Sequence, residues 1–244
     1  MSSVLRGGAP FYGSDGGILL LDSTAPRPPG DVAHAATYPF PVLFEVVSGA
    51  GPQQVVEEGG DGLLEAFVAA AHRLVACGVR AVATCCGFLA IYQRELAASV
   101  PVPVATSSLQ QIPLVLAMLR PEERIGVITI NAATLDQRHF RGAGVHDDDY
   151  ERLTIIGLER TTHLYPALIQ GKQTLDLAGA QAEVVAAAQG LTKADPAIGA
   201  FVLECTNLPP YAAAVQEATG RPVFDAVTLI SWLHDAVHRP RYGC

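Results

Sequence analysis

Residues 82–104 read VATCCGFLAIYQRELAASVPVPV, and residues 201–223 read FVLECTNLPPYAAAVQEATGRPV. The two stretches align without a gap at an offset of 119 positions, which pairs Cys86 with Cys205. In each copy a short apolar run precedes the cysteine, and a Pro-Val pair begins a second apolar run 17 positions after it. The pattern predicts a duplicated strand–cysteine–helix–strand unit whose two halves each present one thiol to a shared cleft.

The rest of the chain alternates short apolar runs with segments of helical periodicity, which is typical of α/β folds with parallel sheets. The predicted strands are 17–22, 42–47, 79–84, 102–105, 124–130, 153–157, 200–203 and 223–224. The predicted helices are 61–76, 89–99, 109–119, 134–140, 174–189, 211–219 and 227–237. Because ligands of such sheets bind beyond the carboxyl ends of the strands, polar residues at those ends are candidate site residues.

Composition limits the classes of function. Half of the 244 residues are hydrophobic and 16% are charged, which excludes a disordered chain. The formal net charge of −8 argues against nucleic acid as a partner, because phosphates require a basic face. The apolar stretches are too short to cross a bilayer, and the first residues lack a basic region followed by an apolar one. We therefore expect a soluble, unexported, cytoplasmic protein without a membrane partner.

Five cysteines, an odd number, indicate free thiols instead of a disulfide framework. No CxxC motif is present, and the adjacent Cys85 and Cys86 would point to opposite faces of a strand end, so we expect no zinc site. The acidic run 146–149 is interpreted as a surface turn and not as a metal site. Among the histidines, His34 is the candidate to follow because it lies in the long loop 23–41.

The position of the two cysteines suggests acid–base chemistry. A thiol at a strand's carboxyl end, just before a helix, lies near backbone N–H groups and the positive end of the helix dipole, which predicts a pKa lowered toward neutrality. A thiolate on one side of a substrate carbon and a thiol on the other could invert a stereocentre without a cofactor. Pyridoxal phosphate would need a lysine, and neither Lys172 nor Lys193 follows a predicted strand end. We therefore expect no cofactor.

Further polar residues near strand ends are candidates for binding a substrate carboxylate. Each has a structural alternative as a turn or helix cap, and capping is compatible with binding at the same helix end. The register also selects Cys86 over Cys85 as the reactive thiol, because Cys85 pairs with Glu204. The substrate-binding candidates are Asp22, Ser107, Ser108, Thr129, Asn131, Thr206 and Asn207.

Three stretches resemble the aspartate/glutamate/hydantoin racemase superfamily: LLLDS at 19–23, ATCCGFLA at 83–90 and ECTNLPPY at 204–211. The resemblance extends over nearly the whole chain. It implies two flavodoxin-like α/β domains related by a pseudo-twofold axis, with one cysteine from each at the interface. Here the first domain would be 1–119, completed by 225–244, and the second would be 120–224.

The neighbours of the two cysteines depart from the glutamate racemases of this superfamily. Those enzymes carry Cys-Asn-Thr in the first domain and Cys-Thr-His in the second, whereas the matching triplets here are CGF at 86–88 and CTN at 205–207. The missing groups bind the amino-acid backbone and assist the second thiol. The resemblance therefore supports the two-thiol mechanism more firmly than glutamate as substrate.

The hypothesis from the sequence is a cofactor-independent racemase or epimerase of a small carboxylic compound, an amino acid or a hydantoin-like derivative. Rival hypotheses are a decarboxylase similar to arylmalonate decarboxylase, a cis–trans isomerase similar to maleate isomerase, and a non-catalytic ligand-binding module. The loop 23–41 is a candidate lid or binding loop. The substrate side chain and the oligomeric state stay open, with a homodimer as the candidate assembly because members often form dimers.

Overall fold

The protein contains two four-stranded parallel sheets with equivalent strand orders, β2-β1-β3-β4 and β6-β5-β7-β8. The first sheet consists of β1 Gly16–Leu21, β2 Val42–Val47, β3 Ala81–Thr84 and β4 Val104–Ala105. The second consists of β5 Arg124–Thr129, β6 Leu153–Gly157, β7 Ile198–Leu203 and β8 Val223–Phe224. The computed structural model describes residues 7–10, 12–240 and 242, so Cys244 lies outside the described residues. The predicted α/β class with two parallel sheets is confirmed.

Helices cover the sheets, and two of them were missed by the sequence prediction. The α-helices are α1 Pro52–Val56, α2 Leu64–Ala76, α3 Gln93–Ser99, α4 Ile112–Met118, α5 Gln137–Gly142, α6 Leu164–Leu168, α7 Leu177–Ala194, α8 Ala212–Thr219 and α9 Ala226–Val237. Among the described residues, 3-10 helices span Ala35–Thr37, Gly87–Tyr92, Ser108–Gln111, Asp147–Arg152 and Pro209–Tyr211. The missed helices α1 and α6 have five residues each, too few to show a helical apolar period. Each follows the second strand of its half, so the duplication extends to them.

The central strands are buried on both faces. All residues of β3 and β7 are buried, which explains why they read as continuous apolar runs without alternation. Phe88 and Phe201 are among the largest fully buried side chains, and burial of each contributes about 1.5–3 kcal/mol to folding. Within the described residues, no helix combines the length and the apolar character that crossing a bilayer requires.

The ends of β3 and β7 are held against each other by hydrogen bonds between the two halves. The buried Ser108 hydroxyl donates to the carbonyl oxygens of Leu203 (2.8 Å) and Glu204 (3.2 Å). In the opposite direction, the Thr206 hydroxyl donates to the carbonyl oxygen of Cys85. These bonds leave the carboxyl ends of the two central strands facing each other.

The last helix returns to the first half, where Leu229 and Leu233 of α9 pack with Ala81 and Ala105 of the first sheet. The division into a first domain of 1–119 with 225–244 and a second domain of 120–224 stays a prediction.

The loop 23–41 is an ordered part of the fold. Asp31 and Val32 in it are almost fully buried, and the Val32 amide donates to the Thr206 carbonyl oxygen at 3.4 Å. Gly30 has a φ of +97°, and a β-carbon there would lie 3.0 Å from the Pro210 Cα, so both its conformation and its space require glycine. The loop therefore crosses from the first half to the second beside the facing strand ends.

Candidate active site

A cavity lies where the carboxyl ends of β1 and β3 meet those of the second sheet, and both Cys86 and Cys205 line it. The space free of protein atoms, open solvent included, is about 420 Å³. The apolar part of its wall is formed by Leu21, Val56, Phe88, Ile130, Leu168 and Ile169. The polar part includes Ser23, Arg27, Glu204, Thr206 and Asn207. The duplicated thiols thus face one small, mostly apolar space, as the register indicated.

The two thiols have matching backbone surroundings. Cys86 is the N-cap residue of the 3-10 helix Gly87–Tyr92, and its side chain makes no capping hydrogen bond. The backbone amide of Phe88 lowers the pKa of Cys86, and that of Asn207 lowers the pKa of Cys205. In both halves this amide belongs to the residue two positions after the cysteine, so the duplication extends to the groups near the sulfur atoms.

The expectation of thiols with lowered pKa values is wrong. Burial raises the pKa of both Cys86 and Cys205, and the negative charge of Glu204 raises both further. Each residue is only 8% exposed, so a thiolate would lose most of its hydration. The nearby backbone amide lowers each pKa, but this effect does not compensate for the loss of water.

Cys85 also lines the cavity, but its sulfur has a structural partner. The Leu21 amide donates to the Cys85 sulfur at 3.1 Å, which joins the end of β3 to β1. Cys77, Cys85, Cys86 and Cys205 are all free cysteines. The preference for Cys86 over Cys85 as the reactive thiol stays a prediction.

The loop 23–41 contributes a charged network that sequence reasoning missed. Arg27 lines the cavity, and its Nη1 lies 3.2 Å from Oδ1 of the buried Asp31. Asn207 donates from Nδ2 to Asp31 Oδ2 at 2.6 Å, and the Cys205 thiol donates to Asn207 Oδ1 at 3.6 Å. The positive charge of Arg27 lowers the pKa of Cys205. The loop therefore orients the second thiol and supplies a cation to the cavity.

Glu204 was also missed as a site residue. Its side chain is fully buried, and Oε2 accepts a hydrogen bond of 2.7 Å from the Thr129 hydroxyl. Oε1 is buried with no hydrogen-bond partner among the described residues. Burial raises the pKa of Glu204 to about 7, while the Thr129 bond lowers it. The sequence signal that could have identified Glu204 was its position directly after the apolar strand β7. Burial of a carboxyl group at such a position is costly.

Three of the substrate-binding candidates follow the ends of β1 and β7, but only two of them line the cavity. Thr206 and Asn207 line it, although the Thr206 hydroxyl is occupied by the Cys85 carbonyl oxygen. Asp22 is exposed and outside the lining, and its Oδ2 accepts a 3.1 Å hydrogen bond from the Gly49 amide. Asp22 therefore has the turn-capping role that was its structural alternative.

The remaining four candidates lie behind the cavity wall and are not part of its lining. Ser107 caps the 3-10 helix that begins at Ser108, and Ser108 itself joins the two halves. Thr129 donates to Glu204, and Asn131 donates from Nδ2 to the Tyr165 hydroxyl at 3.3 Å. These side chains support residues of the wall because their own polar groups already have protein partners.

His34 and the acidic run 146–149 make structural contacts in the described residues. His34 caps the 3-10 helix Ala35–Thr37, and Asp147 of the run 146–149 pairs with Arg141 at 2.8 Å. A second cluster of metal-ligand types, Asp15 with His234 and His238, lies away from the cavity, with ligand atoms within 4.8 Å of one another. His238 Nδ1 is 2.6 Å from Asp15 Oδ2, and Arg80 lies 3.7 Å from the other oxygen of that carboxylate.

The chain is similar to curated proteins named dimethylsulfoniopropionate lyases. It is 31% identical over 236 residues to dimethylsulfoniopropionate lyase 7 of Emiliania huxleyi, an alignment that covers 93% of this chain and 68% of that protein. It is also 31% identical over 236 residues to lyase 5 of the same organism, again over 93% of this chain. The chain spans only 46% of the length of lyase 5. No family model matches the chain.

Comparison with solved structures places the fold among racemases and a decarboxylase. A glycine-to-cysteine mutant of arylmalonate decarboxylase superposes with a TM-score of 0.60 at 19% identity, over 93% of this chain and 96% of that one. A glutamate racemase of Bacillus anthracis superposes with a TM-score of 0.58 at 17% identity, over 92% of this chain and 81% of that one. The chain therefore has the fold of the aspartate/glutamate/hydantoin racemase superfamily and belongs to the family of the dimethylsulfoniopropionate lyases.

Proposed function

We propose that the protein is an enzyme that removes the proton next to the carboxylate of a small substrate, with Cys86 as the base. Cys205 faces the same space from the other half and, as a thiol, donates to the enolate-like intermediate. The observation on which this rests is that one cavity contains both duplicated thiols and the guanidinium of Arg27. Among the described residues, Arg27 is the one cationic side chain of that lining.

The cavity wall suggests how a substrate is oriented. Arg27 would hold the carboxylate, because its guanidinium matches the two oxygens of that group. The face of Phe88 and the carboxyl of Glu204 would suit a methylated cation, which binds to aromatic faces and to negative charge. A zwitterion with a carboxylate at one end and an onium group at the other fits this distribution. The CGF and CTN triplets lack the groups with which glutamate racemases hold an amino-acid backbone.

The reaction we favour is a β-elimination, because the relatives at 31% identity are named dimethylsulfoniopropionate lyases. The thiolate takes the proton from the carbon beside the carboxylate, and the C–H electron pair forms the new C=C bond. The C–S bond breaks with its electrons on sulfur. Dimethylsulfoniopropionate would give acrylate, dimethyl sulfide and one proton. The leaving sulfide is neutral and needs no proton, so one base is sufficient for the elimination.

Racemisation or epimerisation is the second candidate, and the matching surroundings of the two thiols favour it. The amide two residues after each cysteine lowers the pKa of that thiol, so either thiol could act as base and the other as acid. Decarboxylation, cis–trans isomerisation and ligand binding without turnover remain rivals on the same fold.

One assay separates these reactions. The protein, shown to be folded and reduced, is incubated in D₂O with dimethylsulfoniopropionate and, separately, with chiral amino acids, hydantoins and an aryl malonate. Equal amounts of dimethyl sulfide and acrylate, measured by gas chromatography and NMR, would support the elimination. Deuterium at the stereocentre of an intact substrate would support racemisation instead, and no change in any compound would contradict both.

Replacing Arg27 tests the orientation of the substrate. Arg27→Lys keeps the positive charge but loses the planar guanidinium that can bind both carboxylate oxygens. We expect KM to rise about tenfold with a smaller change in kcat, since a charge-assisted hydrogen bond contributes about 1.5–3 kcal/mol. Lysine is preferred to a neutral residue because the buried Asp31 would otherwise lose its cation. Arg80→Lys, at an exposed ion pair outside the cavity, is the matched control and should leave both constants unchanged. A KM equal to that of the wild type in Arg27→Lys would contradict the assignment.

A further inference from the structure

The start of β1 and the end of α9 bring three side chains of metal-ligand type together. Asp15, His234 and His238 each offer one ligand atom, and these atoms all lie within 4.8 Å of one another. Asp15 directly precedes β1, so the cluster lies at the amino edge of the first sheet, whereas the cavity lies at the carboxyl edge. What the cluster binds is therefore independent of the proposed reaction.

The two histidines are four residues apart on α9, which brings their side chains to the same face of the helix. The His238 amide donates to the His234 carbonyl oxygen at 2.8 Å, so the helical hydrogen bonds continue as far as His238. The centroids of the two rings are 5.3 Å apart, with an angle of 19° between the ring planes. Two histidines at this spacing on one helix face are a known arrangement for binding a single metal ion.

Asp15 and His234 are held in place by groups outside the cluster. The Asp15 carbonyl oxygen accepts a hydrogen bond of 2.7 Å from the Arg80 amide, and Phe40 stacks on the His234 ring with centroids 3.5 Å apart. Neighbouring ligand atoms of a tetrahedral zinc ion lie about 3.4 Å apart, so the cluster closes on an ion by side-chain movements of about 1.5 Å. The His238 side chain is 60% exposed and has the room to make them.

His234 has a polar atom that the protein does not satisfy. Its Nδ1 is buried and has no hydrogen-bond partner among the described residues. A carboxylate oxygen of Asp235 is 3.6 Å away, beyond hydrogen-bond distance. Leaving a buried polar atom unpaired is costly, and a bound ion is one of the recognised ways in which such an atom is satisfied. The His234 ring therefore points to a partner from outside the chain.

An ion pair alone accounts for only part of the cluster. His238 Nδ1 lies 2.6 Å from Asp15 Oδ2, but this contact leaves the Nδ1 atom of His234 unpartnered. Arg80 Nη1 lies 3.7 Å from Asp15 Oδ1 and so pairs with the oxygen that faces away from His238. In metal sites the ligating carboxylates are themselves held by outer groups, which is the place that Arg80 takes here.

We propose that Asp15, His234 and His238 bind one divalent transition-metal ion of the zinc type. Two imidazole nitrogens and one carboxylate oxygen are ligands that zinc accepts, and water would complete a tetrahedral set on the exposed side of His238. The ion would join the last helix to the first strand, between side chains 223 positions apart in sequence. Its role is to stabilise the fold, and it takes no part in the reaction in the cavity. The sequence argued only against zinc on the cysteines, and this cluster has no local signature.

The test is binding of Zn²⁺ to the full chain, freed of metal by a chelator, kept reduced with a phosphine and titrated in a calorimeter. The wild type should bind one equivalent. His238→Gln and Asp15→Asn should each weaken binding at least about a hundredfold, because loss of an outer partner alone costs about 10–100-fold. His72→Gln, at an exposed position of α2, is the matched control and should bind as the wild type does. Zinc at about 100 times its Kd should raise the wild-type Tm by about 5 °C or more, and the same concentration should not raise that of His238→Gln.

Other sources of zinc binding give different results. A site made only by the two histidines of α9 would leave Asp15→Asn with the wild-type affinity, and a site on the cysteines would give the Co²⁺-loaded protein a sulfur-to-metal charge-transfer absorption. Either result, or no binding by the wild type, would overturn the proposal. If Asp15→Asn does not fold, Asp15→Glu replaces it: the longer side chain should weaken binding at least about tenfold, whereas a site of two histidines predicts no change.

Discussion

Cys86→Ser is expected to lower the rate of product formation at least about a thousandfold, because a hydroxyl is a far weaker acid than a thiol and leaves no general base. The variant should keep its fold, since serine has the shape of cysteine with a smaller terminal atom and causes no overpacking. The initial rate of dimethyl sulfide or acrylate release measures the effect. Cys77→Ser, at the partly exposed C-cap of α2, is the matched control and should retain the wild-type rate.

Cys205→Ser is expected to lose about a hundredfold, because it removes a donor to the intermediate and not the base. A reversed order, in which Cys86→Ser keeps turning over and Cys205→Ser is inactive, would contradict our assignment and indicate a one-thiol mechanism with Cys205 as base. That outcome would favour a decarboxylase-like reaction on this fold. The pair of variants therefore distinguishes which half supplies the base.

The sequence predicted the parts of the site that follow from local pattern. A buried strand reads as an apolar run, and the residue after it lies at the carboxyl end of the sheet, so the register of the duplicated unit was sufficient to bring Cys86 and Cys205 to one cavity. The two sheets followed from the same alternation of strands and helices. Helices α1 and α6 were missed because five residues around a proline show no period.

The missed site residues depend on contacts between distant segments. Arg27 and Asp31 lie in a loop whose path to Thr206 has no local signature, and Glu204 reaches the cavity only because Gly87 leaves space opposite it. The thiol pKa values were predicted in the wrong direction for a related reason. The helix-end effect is local and visible in sequence, whereas the burial that outweighs it arises from the packing of two halves.

Gly87→Ala is expected to lower the free energy of unfolding by about 3 kcal/mol and to abolish most activity, because overpacking of a buried contact typically costs about 1–3 kcal/mol or more. The added β-carbon would lie 2.1 Å from Glu204 Oε1 and 2.5 Å from the Glu204 carbonyl oxygen. The side chain could rotate away, but the carbonyl belongs to the end of β7, and moving it would shift Cys205. Urea unfolding followed by circular dichroism measures the loss of stability.

The matched control for this change is Gly190→Ala in α7, where a β-carbon would meet no atom within 4 Å. Alanine inside a helix is favoured over glycine by about 0.5–1 kcal/mol, so this variant should be more stable than the wild type and equally active. Equal stability of Gly87→Ala and the wild type would mean that Glu204 does not lie against the first thiol segment. In that case the space at Gly87 would not be what admits the Glu204 carboxyl group, and the packing of the two thiol segments would have to rest on the Ser108 and Thr206 hydrogen bonds.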